Sequence, residues 1–310
     1  MLSAHNQVVD VSIIIAAWNS ETFINKAIDS ALAQVGVTVE IIVVDDCSTD
    51  NTCAVVSAYL DLRVKLIRSQ INSGPGGARN LGLANAKGKW IAILDSDDYF
   101  LPTRLQEMLL HDDGKTEILI DDLLEQQENC DKLTPFFHNG ELPVGELTLS
   151  YLMVTNLIFT ELKSTGYVKP LFLNAFIKQK QIQYWPDVRI GEDYYFLASC
   201  LSHGAKAKVL ALSLYVYTIR SASISGKLTV EHVDKLISAD QKFKQVCKLN
   251  IQESEALEFR NQNILRAKNF IILVNKIKNK ELFFALGHAL SHPNAIGLLW
   301  LPIRKRIIGR

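Results

Sequence analysis

The sequence contains few cysteines and no closely paired cysteine motif. The five cysteines are odd in number and widely spaced, and the seven histidines show no metal-ligand spacing. This pattern argues against a zinc site, which usually needs closely paired ligands, and against a disulfide framework. It therefore excludes the small cross-linked scaffolds and favours a fold that is held together by its apolar core.

Long apolar runs and an excess of positive charge are also missing. No run approaches the roughly 18 residues of a membrane-spanning helix, and the first ten residues lack the basic and apolar regions of a secretory signal. Equal numbers of basic and acidic residues, 33 of each, give no support to nucleic-acid binding. No Gly-x-Ser-x-Gly motif points to a serine hydrolase. We therefore expect a cytoplasmic protein that binds no nucleic acid.

Charge is nevertheless distributed unevenly along the 310 residues. Residues 226–310 contain 15 Lys and Arg against 7 Asp and Glu, whereas residues 1–225 contain 18 against 26. The later residues also show helical apolar spacing. An acidic first region and a basic second region predict two parts with different partners.

The first region alternates apolar strands with helical patterns. Each strand is a short run rich in β-branched residues, as is typical of a strand that is covered on both faces. The four runs are VSIIIAAW (11–18), VEIIVV (39–44), VKLIRS (64–69) and WIAIL (90–94). Asn19 or Ser20 can cap the helix after the first run. The alternation predicts an α/β fold with a mostly parallel, doubly wound sheet.

Carboxylates follow two of these strands. Asp45 and Asp46 end the second run, and Asp95, Asp97 and Asp98 follow the fourth. Ligands bind at the carboxyl ends of strands in such sheets, so we expect both clusters to face one crevice. Like charges this close repel one another unless a cation lies among them. A divalent cation bound with substrate phosphates would explain the cluster; the alternative is a solvated turn that caps the next helix.

Three further motifs supply polar side chains. The motif NSGPGGARN (72–80) combines glycines that permit close approach to a ligand with Arg79. The motif GEDYYF (191–196) contains Glu192 and Asp193, and YTIRSASIS (217–225) contains Arg220. Taken singly, these motifs are equally compatible with a glycine-rich turn, an exposed helix start and an edge strand with a surface arginine.

Together the motifs VSIIIAAWN, IIVVDDCSTDNT, GGARNLGLANAKGKWIAILDSDD and GEDYYF resemble inverting glycosyltransferases of family 2, which have the GT-A fold. The resemblance covers about residues 10 to 225, and the combination of motifs looks like bacterial transferases that build exopolysaccharide or lipopolysaccharide repeats. It implies a GT-A domain at 1–225, with a nucleotide-sugar half at about 10–115 and an acceptor half at about 116–225. A helical, basic region would occupy 226–310.

The resemblance also assigns roles to individual residues. It makes Asp193 the base that takes the acceptor proton, with Glu192 orienting or binding the acceptor, and it makes Asp97 and Asp95 the ligands of Mn²⁺ or Mg²⁺. Trp18 stands where the family commonly has Tyr. The residues that it implies for nucleotide-sugar binding are Ala16, Ala17, Trp18, Asn19, Asp46, Arg79, Asp95, Ser96, Asp97 and Arg220.

The implied activity is metal-dependent inverting transfer from a nucleotide-diphosphate sugar, most often UDP-linked, to a glycan or a lipid-linked saccharide. Two alternatives stay open. A phospho-acceptor or phosphatase-like domain would need a lysine after a later strand, and the sequence does not place one. A non-catalytic subunit that binds nucleotide-sugar would have no need for both Asp97 and Asp193.

The last residues, NAIGLLWLPIRKRIIGR (294–310), join an apolar, Trp-bearing stretch to four cations. Such a segment suits a bilayer interface with anionic headgroups. We expect peripheral association with the cytoplasmic face of the inner membrane. The alternative is a helix that packs on the protein and ends in a solvated tail.

Overall fold

The computed structural model describes residues 9–138, 140–220 and 228–300. The described residues form two compact units. Unit 1 contains those up to Thr148 and those from Tyr167 to Arg220; unit 2 contains Leu149–Gly166 and residues 228–300. The segment Leu149–Gly166 therefore lies with the C-terminal helices rather than with the residues that flank it in the chain.

Unit 1 is built around one sheet. Within the described residues its strands are β1 (Val11–Ala17), β2 (Val39–Asp45), β3 (Val64–Arg68), β4 (Trp90–Asp95), β5 (Tyr99–Phe100), β6 (Ile118–Gln127), β7 (Leu133–Pro135), β8 (Gly145–Glu146), β9 (Leu171–Leu173) and β10 (Ala207–Ile219). Their order is β3-β2-β1-β4-β9-β6-β10-β5, with β7 beside β6 and β8 beside β10. The pairs among β1–β4 are parallel, as is β6 with β10, and β9 joins the two parallel groups in antiparallel orientation. This confirms the predicted α/β sheet.

The helices of the chain alternate with these strands at first and follow one another later. They are α1 (Ile24–Leu32), α2 (Thr52–Ser57), α3 (Gly74–Asn85), α4 (Arg104–Leu109), α5 (Leu149–Thr155), α6 (Asn174–Lys180), α7 (Glu192–Ser202), α8 (Val230–Val246), α9 (Ile251–Lys278), α10 (Leu282–Ser291) and α11 (Pro293–Ile296). All seven residues of β2 are buried and five of them are apolar, as expected where helices cover both faces of a sheet built from such crossovers.

The predicted cap of α1 is wrong. The helix begins at Ile24, and no side chain accepts a hydrogen bond at its start. The carbonyl of Ser20 accepts from the Ile24 N–H instead, at 3.0 Å. The Asn19 and Ser20 side chains face other partners, which are described below.

Unit 2 contains α5 and the helices α8 to α11. Capping boxes start its two longest helices, with Thr229 and His232 at α8 and with Asn250 and Glu253 at α9. A buried ion pair between Asp240 and Arg260 joins these two helices. Among the helices that the structure describes, none has both the length and the apolar content needed to cross a membrane.

Candidate active site

The carboxyl ends of β1, β2 and β4 lie side by side in unit 1. In the sheet register, Ala16 pairs with Asp95 and Ala17 pairs with Asp45. The Asp46 N–H donates to the carbonyl of Ala17 at 2.8 Å. The two acidic clusters of the sequence therefore meet at one edge of the sheet, because parallel strands end on the same side.

A buried network of charges connects this edge to the start of α7. Arg79 on α3 binds Asp95 through Nη2 at 2.6 Å, and its Nη1 lies 2.7 Å from Glu192 and 3.0 Å from Asp193. Lys169 places its Nζ 2.6 Å from Asp95 and 2.5 Å from Asp193. Three carboxylates thus share two cations, and residues almost a hundred positions apart in the sequence converge on them.

The surroundings of these groups shift their protonation equilibria. Burial opposes the charged form of Asp95, but Lys169 and Arg79 outweigh it and hold the pKa of Asp95 well below its usual range. Burial likewise disfavours a charged Lys169, yet Asp193 and Asp95 raise the pKa of the lysine. Burial and the neighbouring Asp193 raise the pKa of Glu192. The two cations therefore stay charged while the network retains an acidic excess.

Asp97 and Asp98, which follow β4, point to different surroundings. Asp98 is fully buried and accepts hydrogen bonds from the Tyr215 hydroxyl at 2.7 Å and from the Thr218 N–H at 2.8 Å. It therefore anchors β10. The Asp97 side chain is 39% exposed, and its ion pair with Arg220 is long, 3.9 Å from Nε to Oδ2. Burial and Asp95 raise the pKa of Asp97. Asp97 is thus an accessible carboxylate whose negative charge is only weakly neutralised by its neighbours.

Arg220 lies at the end of the described segment 140–220. Its guanidinium stacks over the ring of Phe23, 3.6 Å from the centroid, and it faces Asp97 over the long contact described above. A cation held on an aromatic face keeps its hydrogen-bonding edges available. Ser223 and Ser225 of the same predicted motif lie outside the described residues.

Asp46 caps α3. Its carboxylate accepts from the Ser73 N–H at 2.9 Å, from the Ser73 hydroxyl at 3.1 Å and from the Gly74 N–H at 2.8 Å. Gly74 has φ +75°, a conformation that favours glycine. The structure thus gives Asp46 a local role, whereas its predicted contact with the nucleotide base stays a prediction.

The remaining predicted residues lie at the end of β1, in the loop after it and directly after β4. Trp18 is half exposed. Asn19 has φ 50° and accepts through Oδ1 from the Thr49 N–H at 2.8 Å, so it ties this loop to the β2–α2 loop. The hydroxyls of Ser20 and Ser96 lie 3.0 Å apart. These contacts join the loops that follow β1, β2 and β4.

Sequence analysis missed Lys169 and Tyr184. Tyr184 is buried, and the Arg79 guanidinium lies 5.4 Å from its ring centroid. Burial, together with the nearby charge of Asp193, raises the pKa of the tyrosine well above its usual value. Neither residue lies in a motif that the sequence analysis used. Lys169 lies just before β9 and Tyr184 lies between α6 and α7, and the packing of these elements brings both residues to the carboxylates.

A divalent ion would find one suitable carboxylate here. Within the described ranges, no group of three or more His, Cys, Asp or Glu side chains is placed to hold a metal ion. Asp97 offers a hard oxygen donor with unbalanced negative charge, whereas both oxygens of Asp95 are bound by Arg79 and Lys169. Mg²⁺ commonly binds through one or two carboxylates and substrate phosphates. The donor set therefore fits such an ion through Asp97.

Comparison with known proteins identifies relatives of this chain. The family model described as glycosyl transferase family 2 matches residues 12–139. The succinoglycan biosynthesis protein ExoO of Rhizobium meliloti is 40% identical over 305 residues, which cover 98% of this chain and 88% of that protein.

Two solved structures share the fold. The S. aureus TarS fragment 1–349 in complex with UDP has a TM-score of 0.65 at 24% identity, over 90% of this chain and 80% of that one. The mannosyltransferase PcManGT of Pyrobaculum calidifontis, in complex with GDP-Man and Mn²⁺, has a TM-score of 0.60 at 14% identity, over 98% and 89%. At these identities the likeness concerns the GT-A fold. With its motifs, its fold and a relative that matches it almost end to end, this chain belongs to glycosyltransferase family 2.

Proposed function

We propose that the protein transfers a sugar, with inversion, from a UDP-sugar to a hydroxyl group of a saccharide or lipid-linked saccharide during exopolysaccharide synthesis. The observation that carries the proposal is the convergence of Asp95 at the end of β4 with Glu192 and Asp193 at the start of α7. The UDP-bound TarS fragment supports the choice of donor. The name of the R. meliloti relative supports the exopolysaccharide context.

Inverting transfer is a single displacement at the anomeric carbon. The acceptor oxygen forms a bond to that carbon while the bond to the diphosphate breaks, and the hydroxyl proton passes to a carboxylate. We assign this proton to Asp193 and assign orientation of the acceptor to Glu192. Both carboxylates lie in the first turn of α7, so a rigid element presents them. An α-linked donor would give a β-linked product.

The departing diphosphate needs positive charge. Arg220, held over Phe23, is our candidate for pairing with phosphate oxygens, because a guanidinium binds them in a bidentate manner. Asp97 would hold Mn²⁺ or Mg²⁺, which neutralises diphosphate charge when it is bound. Asp95 would then act beside the ion rather than as a direct ligand, since two cations already occupy its oxygens. The Mn²⁺ complex of PcManGT is consistent with this choice.

The uracil and ribose would lie at the ends of β1 and β2. Ala16 and Ala17 offer backbone groups there, and the exposed face of Trp18 offers a stacking surface. Asp46 would contact the base or the ribose only through lone pairs that its bonds to Ser73 and Gly74 leave over.

The test is UDP release from a panel of UDP-sugars, with a saccharide acceptor and Mn²⁺, followed by the same assay in excess EDTA. Turnover that requires the ion, with a product of inverted anomeric configuration by NMR, would support the proposal. Full activity in EDTA would contradict the proposed role of a metal ion. A product of retained anomeric configuration would contradict the single displacement. Binding of UDP-sugar without turnover on any acceptor would indicate a non-catalytic subunit.

We also propose that unit 2 contacts an anionic membrane surface. Helix α10 contains no Asp, Glu, Lys or Arg, and it exposes an apolar stripe that consists of Leu282, Phe283, Leu286 and Leu290. From position 276 to 310 the sequence carries seven Lys and Arg against one acidic residue. Exposed apolar side chains beside cations suit a bilayer interface. The described part of the predicted segment 294–310 includes the exposed Trp300; residues 301–310 lie outside the described residues.

Sedimentation with phosphatidylglycerol vesicles tests this contact. We expect the full chain to pellet at low salt and to be released as salt rises, because screening weakens the electrostatic attraction. A chain that ends at Pro293 and the double variant Phe283→Ser/Leu286→Ser should both pellet less. The control is Leu60→Ser/Leu62→Ser, which removes two leucines that are each 93% exposed in unit 1. Equal pelleting of all four proteins would contradict the proposed membrane contact.

A further inference from the structure

Lys169 is a buried lysine at the centre of the charge network. Its residue is 7% exposed, and its Nζ lies within 2.6 Å of Asp95 and within 2.5 Å of Asp193. Burying an ammonium group is costly unless the group is paired with an acid. A lysine that only packed its alkyl chain against the protein would extend its ammonium group into water. The contacts of Lys169 instead join the strand edge to the helix that carries the proposed base.

The four charged side chains form a closed ring in which the signs alternate. Asp95 contacts Lys169 through Oδ2 and Arg79 through Oδ1, and Asp193 contacts Lys169 through Oδ2 and Arg79 through Oδ1. Each carboxylate thus uses one oxygen for each cation. The ring determines the separation of the two carboxylates and the direction in which each one faces.

The backbone at Lys169 is itself held in place. Its carbonyl accepts from Arg104 Nη2 at 2.6 Å. Arg104 is fully buried and binds Asp121 of β6 through two hydrogen bonds, at 3.0 and 2.7 Å. A bidentate pair of this kind has little freedom to move. The ammonium therefore extends from a rigid point toward both carboxylates.

We infer that Lys169 is a positioning residue that holds Asp193 in register with Asp95 for sugar transfer; this inference rests on the proposed function. Without the ammonium, Asp95 and Asp193 would share Arg79 alone, together with Glu192, and the like charges would push the start of α7 away from β4. The base would then lose its alignment with the donor, although the donor itself could still bind.

The first experiment compares Lys169→Met, which keeps length without charge, with Lys169→Arg, which keeps charge. The matched control is Lys178→Met, because Lys178 is an exposed lysine of unit 1 whose ammonium donates to the carbonyl of Ala86 at 2.8 Å and lies outside the charge network. We use the UDP-sugar that the wild-type protein turns over, and we measure UDP binding by calorimetry. Misalignment of reacting groups costs about 100-fold, so we expect kcat of Lys169→Met to fall about that far. UDP affinity should change less than about threefold, and Lys169→Arg should recover at least part of the loss.

Three results of this experiment would overturn the inference. The first is a kcat of Lys169→Met within threefold of wild type. The second is a loss of UDP affinity as large as the loss of kcat, since the lysine would then bind the donor. The third is a Lys169→Arg variant as inactive as Lys169→Met, because a second cation at this position should restore the ring.

A second experiment does not depend on activity. Amide hydrogen exchange reports local opening, and we expect Lys169→Met to speed exchange in the first turn of α7, which starts at Glu192, while Lys178→Met leaves it unchanged. Unchanged exchange in Lys169→Met would overturn the inference. If the wild-type protein turns over no UDP-sugar, the proposed function fails, but the exchange experiment still decides whether Lys169 holds α7.

Discussion

Acidic side chains at the two ends of the parallel strands in unit 1 differ in how their negative charge is stabilised. At the amino end, Glu40 of β2 accepts from the Ser12 hydroxyl at 2.6 Å, from the Lys87 N–H at 2.7 Å and from Lys65 Nζ at 2.5 Å. Burial opposes its charge, but the hydrogen bonds, led by that of Lys65, lower the pKa of Glu40. The hydrogen-bond partners of Glu40 therefore stabilise its negative charge.

At the carboxyl end the acidic side chains of the cluster outnumber its cations. Five carboxyl groups of the described residues lie around three cations; the acids are Asp95, Asp97, Asp98, Glu192 and Asp193, and the cations are Arg79, Lys169 and Arg220. Burial and neighbouring carboxylates raise the pKa values of Asp97, Asp98 and Glu192. Perturbed groups that cluster in this way mark functional sites more often than structural ones. The comparison separates an isolated acid that stabilises the fold from a cluster of acids, of which Asp97 remains accessible.

The largest effect should come from Asp193→Asn, which removes the proposed base. We expect a loss of transfer of about 10² to 10⁴-fold, the usual contribution of general acid–base catalysis, measured as UDP release with acceptor. UDP binding should stay nearly intact, since the substitution keeps the shape. Glu40→Gln, at the other end of the strands, serves as the matched control and should transfer sugar at the wild-type rate. Substantial transfer by Asp193→Asn would make Glu192 the first candidate for the base.

A smaller effect is expected from Asp97→Ala. Loss of an oxygen ligand should weaken Mn²⁺-dependent binding of UDP by about 10 to 100-fold, the range seen when metal sites lose a supporting group. Calorimetry with UDP in Mn²⁺ and in EDTA gives the measurement. The two proteins should differ in Mn²⁺ and agree in EDTA. A difference of the same size in EDTA would show that Asp97 acts on the nucleotide without an ion.

The smallest effect concerns stability. Glu40→Gln should lower the free energy of unfolding at pH 7 by roughly 1.5–3 kcal/mol, the usual value of a hydrogen bond to a charged group. Because the folded pKa of Glu40 is lowered, its contribution is present above the unfolded value of about 4.3 and is lost as pH falls through the folded pKa. Urea unfolding of both proteins should therefore show a gap at pH 7 that narrows below about pH 4. A constant gap would mean that Glu40 acts through packing.

The tertiary structure bears on one alternative left open by the sequence, a phospho-acceptor domain. A phospho-acceptor domain needs a lysine that follows a later strand, and Lys169 lies beside Asp95. However, this lysine precedes β9 rather than following it, and it contacts Asp193 equally closely. Together with membership of glycosyltransferase family 2, these contacts decide in favour of sugar transfer.

The sequence by itself determined the parallel half of the sheet and the motifs at its edge. Strand β2 could be recognised because a strand buried on both faces is mostly apolar, and Asp45 and Asp95 could be placed together because parallel strands end on one side. The motif with Glu192 and Asp193 was recognised through its resemblance to the family, not through its spacing.

Only the tertiary structure decided which charges neutralise one another. Lys169 stands in no distinctive local pattern, and its partners lie 74 and 24 positions away along the chain. Asp98 looked like its neighbour Asp97, yet one is buried against Tyr215 and the other remains accessible. Local sequence sets the backbone period and the turns, whereas ion pairing depends on distances that arise only when β4, β9 and α7 pack together.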